Sequence, residues 1–272
     1  MKAKFLTVLL SLAAITWSCT NAKTPTESAT STSTSETTAG TDTAEADGDD
    51  CEEEGEDCTC GEGDDCVIVN FSGAQPTILD FAHALLSFED MGEGYGNFRE
   101  AIEAYDKGKK PENGELTIDK QNGYINYTAK WSEDDPSLTH VTINEMCYWN
   151  CKDGRHKIIA SNIMVKQDNR YVDTEVTGVS YLCYDSETKT MEWNSADQLG
   201  ALVLPEDLCW PAQDPENSQL GEDYFRYMPK HTLPRVGKNI KVDVADPSIP
   251  ASKRRTCELV WNGNGFDKKF SK

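Results

Sequence analysis

The stretch from Leu138 to Asp185 limits the fold more than any other, because it reads as three long β-strands joined by two tight turns. In THVTINEMCYWN the side chains alternate, with Val141, Ile143, Cys147 and Trp149 on one face and Met146 and Tyr148 on the other. The run ends at Lys152-Asp153-Gly154-Arg155. An Asp-Gly pair between two apolar runs signals a two-residue hairpin loop, whose central residues both take positive φ. The next run, HKIIASNIMV, is apolar on both parities: Ile158, Ala160 and Met164 on one, Ile159, Ile163 and Val165 on the other. Both faces of that strand are therefore expected to be covered. Asp168-Asn169 then turns the chain back into YVDTEVTGVSYLCY.

The flanking segments complete an α+β pattern. Val67–Phe71 reads as a short strand, and Pro76 opens a helix to about Phe88 with Ile78, Leu79, Ala82, Leu85 and Leu86 at helical spacing. Gly92, Gly94 and Gly96 follow a helix rather than a strand, so they read as a C-cap and loop, not a phosphate cradle. Phe98, Ala101, Ile102 and Tyr105 mark a second helix. From Glu115 the period becomes two: Leu116 and Ile118 lead to an Asn122-Gly123 hairpin, Tyr124–Trp131 returns, and TKTMEWN follows a turn after Asp185. The expected architecture is two N-terminal helices packed on an antiparallel β-meander of about six strands, with short C-terminal strands. Those short strands fall near 224–228, 239–244 and 257–261, and Ile240, Val242 and Val244 alternate with Lys241 and Asp243 as in a half-buried edge. Between them, residues 195–222 look irregular apart from a helical turn at Pro205–Cys209, and no internal repeat occurs.

Charge narrows the partners. Of a formal net charge of -21, residues 45–66 contribute twelve acids and no base, while residues 67–272 hold 32 acids against 23 bases, a net of -9. Nucleic acid and charge-driven binding to an anionic membrane are both disfavoured. The chain divides into a signal segment at 1–18, a tether at 19–66 and a single globular domain at 67–272.

The first residues carry a resemblance. Met1-Lys2-Ala3-Lys4 is cationic, Phe5–Ile15 is an apolar run too short to span a bilayer, and Thr16-Trp17-Ser18-Cys19 ends it. This arrangement resembles the signal of a bacterial lipoprotein with the looser lipobox of the Bacteroidota type; Thr16 and Trp17 depart from the usual Leu-Ala form. The resemblance implies cleavage before Cys19, acylation of its sulfur and amine, and attachment to the outer membrane of the cell envelope, since residue 20 is Thr rather than Asp. Which side of that membrane the protein faces stays open. The alternative is ordinary cleavage after Ser18, leaving Cys19 an unmodified thiol. Thr20–Gly40 has no periodic apolar residues and reads as a flexible tether. Asp42-Thr43-Ala44 matches a short pattern resembling bacterial O-glycosylation sites, beside the plain reading as linker. Cys51, Cys58, Cys60 and Cys66 follow among acids, with three readings: a metal site, two local disulfides, or an acidic spacer with incidental thiols. Cys58-Thr59-Cys60 lacks the two-residue spacing of a zinc knuckle.

One site hypothesis comes from hairpin register. A two-residue loop at Asp153-Gly154 sets Cys151 opposite His156, and one at Asp168-Asn169 sets His156 opposite Tyr181 with Cys183 on the same face. Cys151, His156 and Cys183 are thus candidate zinc or copper ligands. Against this, Cys151 and Cys183 stand two strand spacings apart, roughly 9–10 Å, which also exceeds disulfide reach. The other reading is thiols in the core, or a disulfide after local adjustment, with His156 on a solvated edge. Cys209 and Cys257 are better disulfide candidates, with each other or with Cys183.

Catalytic motifs are missing: no Gly-x-Ser-x-Gly, His-Glu-x-x-His, phosphate loop or dinucleotide fingerprint occurs. His83 falls within the first helix as a core-edge imidazole, His140 and His231 sit in unrelated contexts, and Glu133-Asp134-Asp135 lies in a polar loop. No cofactor is implied. Tyr124, Tyr127, Trp131, Tyr148, Trp149, Tyr181, Tyr184 and Trp193 lie on strands, where they fill the core or, sharing an exposed face, stack on sugars or receive a protein. The leading reading is a non-catalytic envelope lipoprotein that binds a glycan or protein ligand; a hydrolase with a scattered site and a metal or thiol-redox role are the alternatives.

Overall fold

The alternation that begins at residue 114 builds the larger of two antiparallel sheets. The computed structural model describes residues 66–88, 91, 95–131, 139–168, 170–172, 177–210 and 226–271. The segment 1–18, Cys19, Cys51, Cys58, Cys60 and Glu133-Asp134-Asp135 lie outside the described residues. In chain order the elements are β1 (Cys66–Ile68), α1 (Ile78–Leu85), α2 (Gly96–Asp106), β2 (Gly114–Asp119), β3 (Tyr124–Trp131), β4 (His140–Asn150), β5 (His156–Gln167), β6 (Arg170–Val172), β7 (Gly178–Asp185), β8 (Thr190–Asn194), α3 (Pro205–Leu208), β9 (Pro229–Thr232), β10 (Ile240–Val244), β11 (Cys257–Trp261) and β12 (Phe266–Phe270). The large sheet runs β1-β8-β7-β5-β4-β3-β2, with β6 added to one end of β5; the small one runs β12-β11-β10-β9. The class is α+β, dominated by antiparallel sheet.

The large sheet is buried on both faces, as the two-sided apolar pattern of β5 requires. Ile159 and Ile163 join Met146, Tyr127 and Leu182 under α1 and α2, where Phe81, Leu85, Phe98 and Ile102 are buried. Ile158 and Ala160 join Trp149 and Tyr181 against Ile240, Val242, Leu259 and Phe266 of the small sheet. The order of layers is thus helices, eight strands, four strands. Helix α1 is shorter than the expected span from Pro76. It starts where the Asp80 carboxylate accepts the Thr77 amide and hydroxyl, each at 2.7 Å, and so holds the first turn.

Register is where expectation and structure part. The Asp153-Gly154 hairpin pairs Asn150 with Lys157 and leaves Cys151 bonded to the His156 carbonyl, as predicted. Its loop differs: only Gly154 has positive φ (73°), and its amide donates to the Cys151 carbonyl at 3.2 Å. Asp153 keeps negative φ, because its carboxylate accepts the Arg155 and His156 amides at 2.9 and 3.0 Å. Of the expected Asp168-Asn169 turn, Asn169 lies outside the described residues; Gln167 pairs with Arg170 as that turn requires, but β6 lasts three residues. Strand β7 then pairs four residues out of step with that turn, so His156 faces Asp185 rather than Tyr181, and Ile158 faces Cys183. The third strand is two strands, and a turn sets register only for the ladder it closes.

The tail differs as well. Pro229–Thr232 forms the strand in place of 224–228, β12 was not foreseen, and β10 lies between β9 and β11 rather than at an edge. Lys241 and Asp243 are polar because β10 turns its outer face to solvent.

Two glycines with similar φ separate backbone conformation from space. Gly154 has open space around an added Cβ, whereas one at Gly200 (φ 67°) would stand 2.5 Å from the Phe266 carbonyl oxygen. Gly154→Ala is expected to cost about 1 kcal/mol. Gly200→Ala is expected to cost about 1–3 kcal/mol more, from the forced shift of β12. Urea denaturation of the two variants measures the difference.

Candidate functional site

The residues singled out by register do share one end of the large sheet, but not as a metal centre. His156 Nδ1 is 2.6 Å from Asp153 Oδ2, and its Nε2 is 3.9 Å from Asp185. Arg155 bonds Asp185 through Nε at 2.8 Å and reaches Glu187 at 2.6 Å. The His156 hydrogen bond holds the Asp153 carboxyl down at about 2, and Arg155 lowers Asp185. The nearby thiols go the other way: burial, with the Cys151 charge next, pushes Cys183 up to about 11, and burial and Asp153 raise Cys151. The imidazole is engaged by carboxylates. Among the described residues no group of three His, Cys, Asp or Glu side chains could hold a metal ion. His156 thus belongs with Asp153, Arg155, Asp185 and Glu187 to an ion-paired clasp over the hairpin end. Cys151, directly after β4, and Cys183, on β7, are free thiols.

The disulfide expectation is corrected similarly. Cys183, Cys209 and Cys257 are thiols, as are Cys147 and Cys151. Cys209 donates to the Lys253 carbonyl at 3.4 Å, and Cys257 is turned into the core on β11. Cys66 is disulfide-bonded.

Histidines and aromatics also find structural places. His83 is on the surface, 3.3 Å from Asp106, linking α1 to α2 rather than edging the core. His140 stacks on Trp131 with ring centroids 4.3 Å apart. Tyr124, Tyr127, Trp149, Tyr181 and Tyr184 are buried, and Trp131 and Tyr148 are half-buried. Only Trp193 of the eight is exposed, packed on Phe88 with ring centroids 5.1 Å apart, so the strand aromatics do not make an exposed stacking face.

What the sequence did not reveal is a polar cluster between the sheets. Glu145 and Asn162 face each other across β4 and β5, and both are buried. Glu145 Oε1 accepts the Tyr124 hydroxyl at 2.9 Å; Oε2 accepts Asn162 Nδ2 at 3.1 Å and the Leu233 amide at 3.3 Å. Asn162 also donates to the His231 carbonyl at 3.1 Å. All three groups on Glu145 are donors, the complement of an acceptor-only carboxylate. Burial, and then the charge of Glu145, raises the Tyr124 hydroxyl. The only signal in the sequence is a Glu on the parity of Cys147 and Trp149, where an apolar residue is due.

Beside this cluster is a cavity of about 70 Å³ between β5, β6 and β9, lined mainly by apolar side chains. The imidazole of His231 lies on its wall, buried, with Nε2 meeting no partner. Burial lowers the His231 pKa to about 4. The Nζ atoms of Lys166 and Lys230 stand 4.7 and 5.0 Å from the ring centroid of Tyr171, which also lines the cavity.

A second concavity, about 500 Å³ and open, crosses the outer face of the small sheet. Lys230, Lys241 and Lys269 line it with Asp243 and Glu258. Asp243 is taken by Arg254 at 2.8 Å, and Glu258 accepts Asn239 at 3.2 Å. Residues 226–271 hold ten Lys and Arg against four Asp and Glu, a net of +6 in a chain of -21.

Two outcomes follow from the inter-sheet residues. Glu145→Ala leaves three buried donors without an acceptor and is expected to cost about 3–5 kcal/mol in chemical denaturation. For His231 the folded value lies below the ordinary ~6.5, so the unfolded chain takes up the proton first as pH falls. Stability should decline from about pH 6.5 to about pH 4, by roughly 3 kcal/mol, and His231→Leu should remove that part of the slope. Asp153 and Asp185, held low, act only below that window.

No family model matches the chain, and neither a curated protein nor a solved structure does.

Proposed function

We propose that this chain is an outer-membrane lipoprotein, acylated at Cys19, whose two-sheet domain binds an acidic ligand and performs no catalysis. The observation that carries the binding reading is the reversal of charge on the small sheet. An acidic chain places Lys230, Lys241 and Lys269 along one open groove, and none of the three pairs with a carboxylate among the described residues. Charge of one sign lining a concavity attracts the opposite sign from solution and speeds its capture. Both carboxylates of the groove are already held, by Arg254 and Asn239, which suits a surface that receives a ligand better than one that trades protons with it. The anchor is supported by the sequence alone: a cationic start, a short apolar run and an immediate cysteine.

The two halves are tested separately. Mass spectrometry of the mature protein is expected to find an N-terminal Cys19 carrying acyl chains; a mature chain starting elsewhere, or an unmodified Cys19, removes the anchor. For the groove, titration with polygalacturonate and with polyglutamate at low and high salt is expected to show salt-sensitive binding to at least one. The combination Lys230→Glu, Lys241→Glu and Lys269→Glu should abolish it. Absence of binding to either polymer at low salt would count against the groove.

A further inference from the structure

Strand β5 changes partners at Met164. It pairs with β7 as far as Ile163, opposite Gly178, and with β6 from Val165, opposite Val172, so neither ladder reaches the residue between. The small cavity lies at this break, with Met164, Val172, Met228 and His231 on its walls. Its volume of about 70 Å³ is roughly half the ~150 Å³ that admits benzene, room for roughly three or four carbon atoms.

Two further features mark this cavity as a ligand site. The first is the His231 imidazole, buried and with Nε2 unpartnered at the wall. A buried polar atom without a partner costs free energy that a bound polar group recovers. The second is charge beside Tyr171, a residue of the cavity wall. Lys166 comes from the large sheet and Lys230 from the small one, and their Nζ atoms approach the same Tyr171 ring at 4.7 and 5.0 Å, hence no more than 9.7 Å apart. Neither pairs with a carboxylate among the described residues. A cation over an exposed ring gains only about 0.5–1 kcal/mol, which does not neutralise two ammonium groups. An anionic group within reach of both would.

The geometry points to a binding site for a small aliphatic carboxylate of about four carbons, its head within reach of Lys166, Lys230 and His231 Nε2 and its chain in the cavity against Met164 and Met228. His231 stays neutral at physiological pH and offers Nε2 to the carboxylate, so recognition of the charge falls to the lysines. Cations are excluded by the lysine pair.

The test uses the full chain labelled with ¹³C at the methionine methyls. Butyrate is expected to shift the Met164 and Met228 signals saturably, and n-butylamine at the same concentrations to leave them in place. Lys166→Ala should weaken butyrate binding about tenfold, the loss of one charge-assisted hydrogen bond. A response without saturation, an equal response to butylamine, or unchanged affinity in Lys166→Ala overturns the proposal. Lys166 does not line the outer groove, so this result is independent of binding to acidic polymers.

Discussion

The arrangement of two sheets depends on how one strand edge is satisfied. An exposed strand edge offers unpaired amides and carbonyls, and burying them unpaired is costly. Strand β9 ends the small sheet and lies against the large one. The outward carbonyl of His231 and the outward amide of Leu233 therefore need partners that are not another strand. Asn162 and Glu145 supply them, one donor and one acceptor, from directly opposed positions on β5 and β4. Apolar contact alone would let the sheets slide over each other; this pair of bonds defines where β9 rests.

The same contact explains what the remaining polar groups near it can do. Glu145 accepts from three donors on three different segments, so it holds the sheets together. His231 is brought to the cavity wall by its own strand, with its carbonyl anchored and its ring left over. Lys166 and Lys230 meet at Tyr171 only because the two sheets are docked in this way. A site assembled from both sheets is thus a by-product of the bond that joins them.

At the opposite end of the large sheet, a shift of four residues changes the chemistry. With His156 opposite Tyr181 the neighbourhood would be two thiols and an imidazole; with His156 opposite Asp185 it becomes a chain of carboxylates, an imidazole and a guanidinium. The thiols are then raised by burial and by the negative charges around them, which keeps them protonated. The register of β7 against β5 decides which of these is built.

Much of the fold was legible because it rests on short-range rules. Period-two alternation located the strands from β2 to β8, Gly123 and Gly154 located two hairpins, and the doubly apolar β5 announced a sheet covered on both faces. Only tertiary structure decided the rest: the length of β6, the register of β7, the second sheet as a layer, and the meeting of Glu145, Asn162, His231, Lys166 and Lys230. The physical reason is separation along the chain. Residues such as Glu145 and Leu233 are 88 positions apart, and no periodicity records which buried acceptor will meet which distant donor.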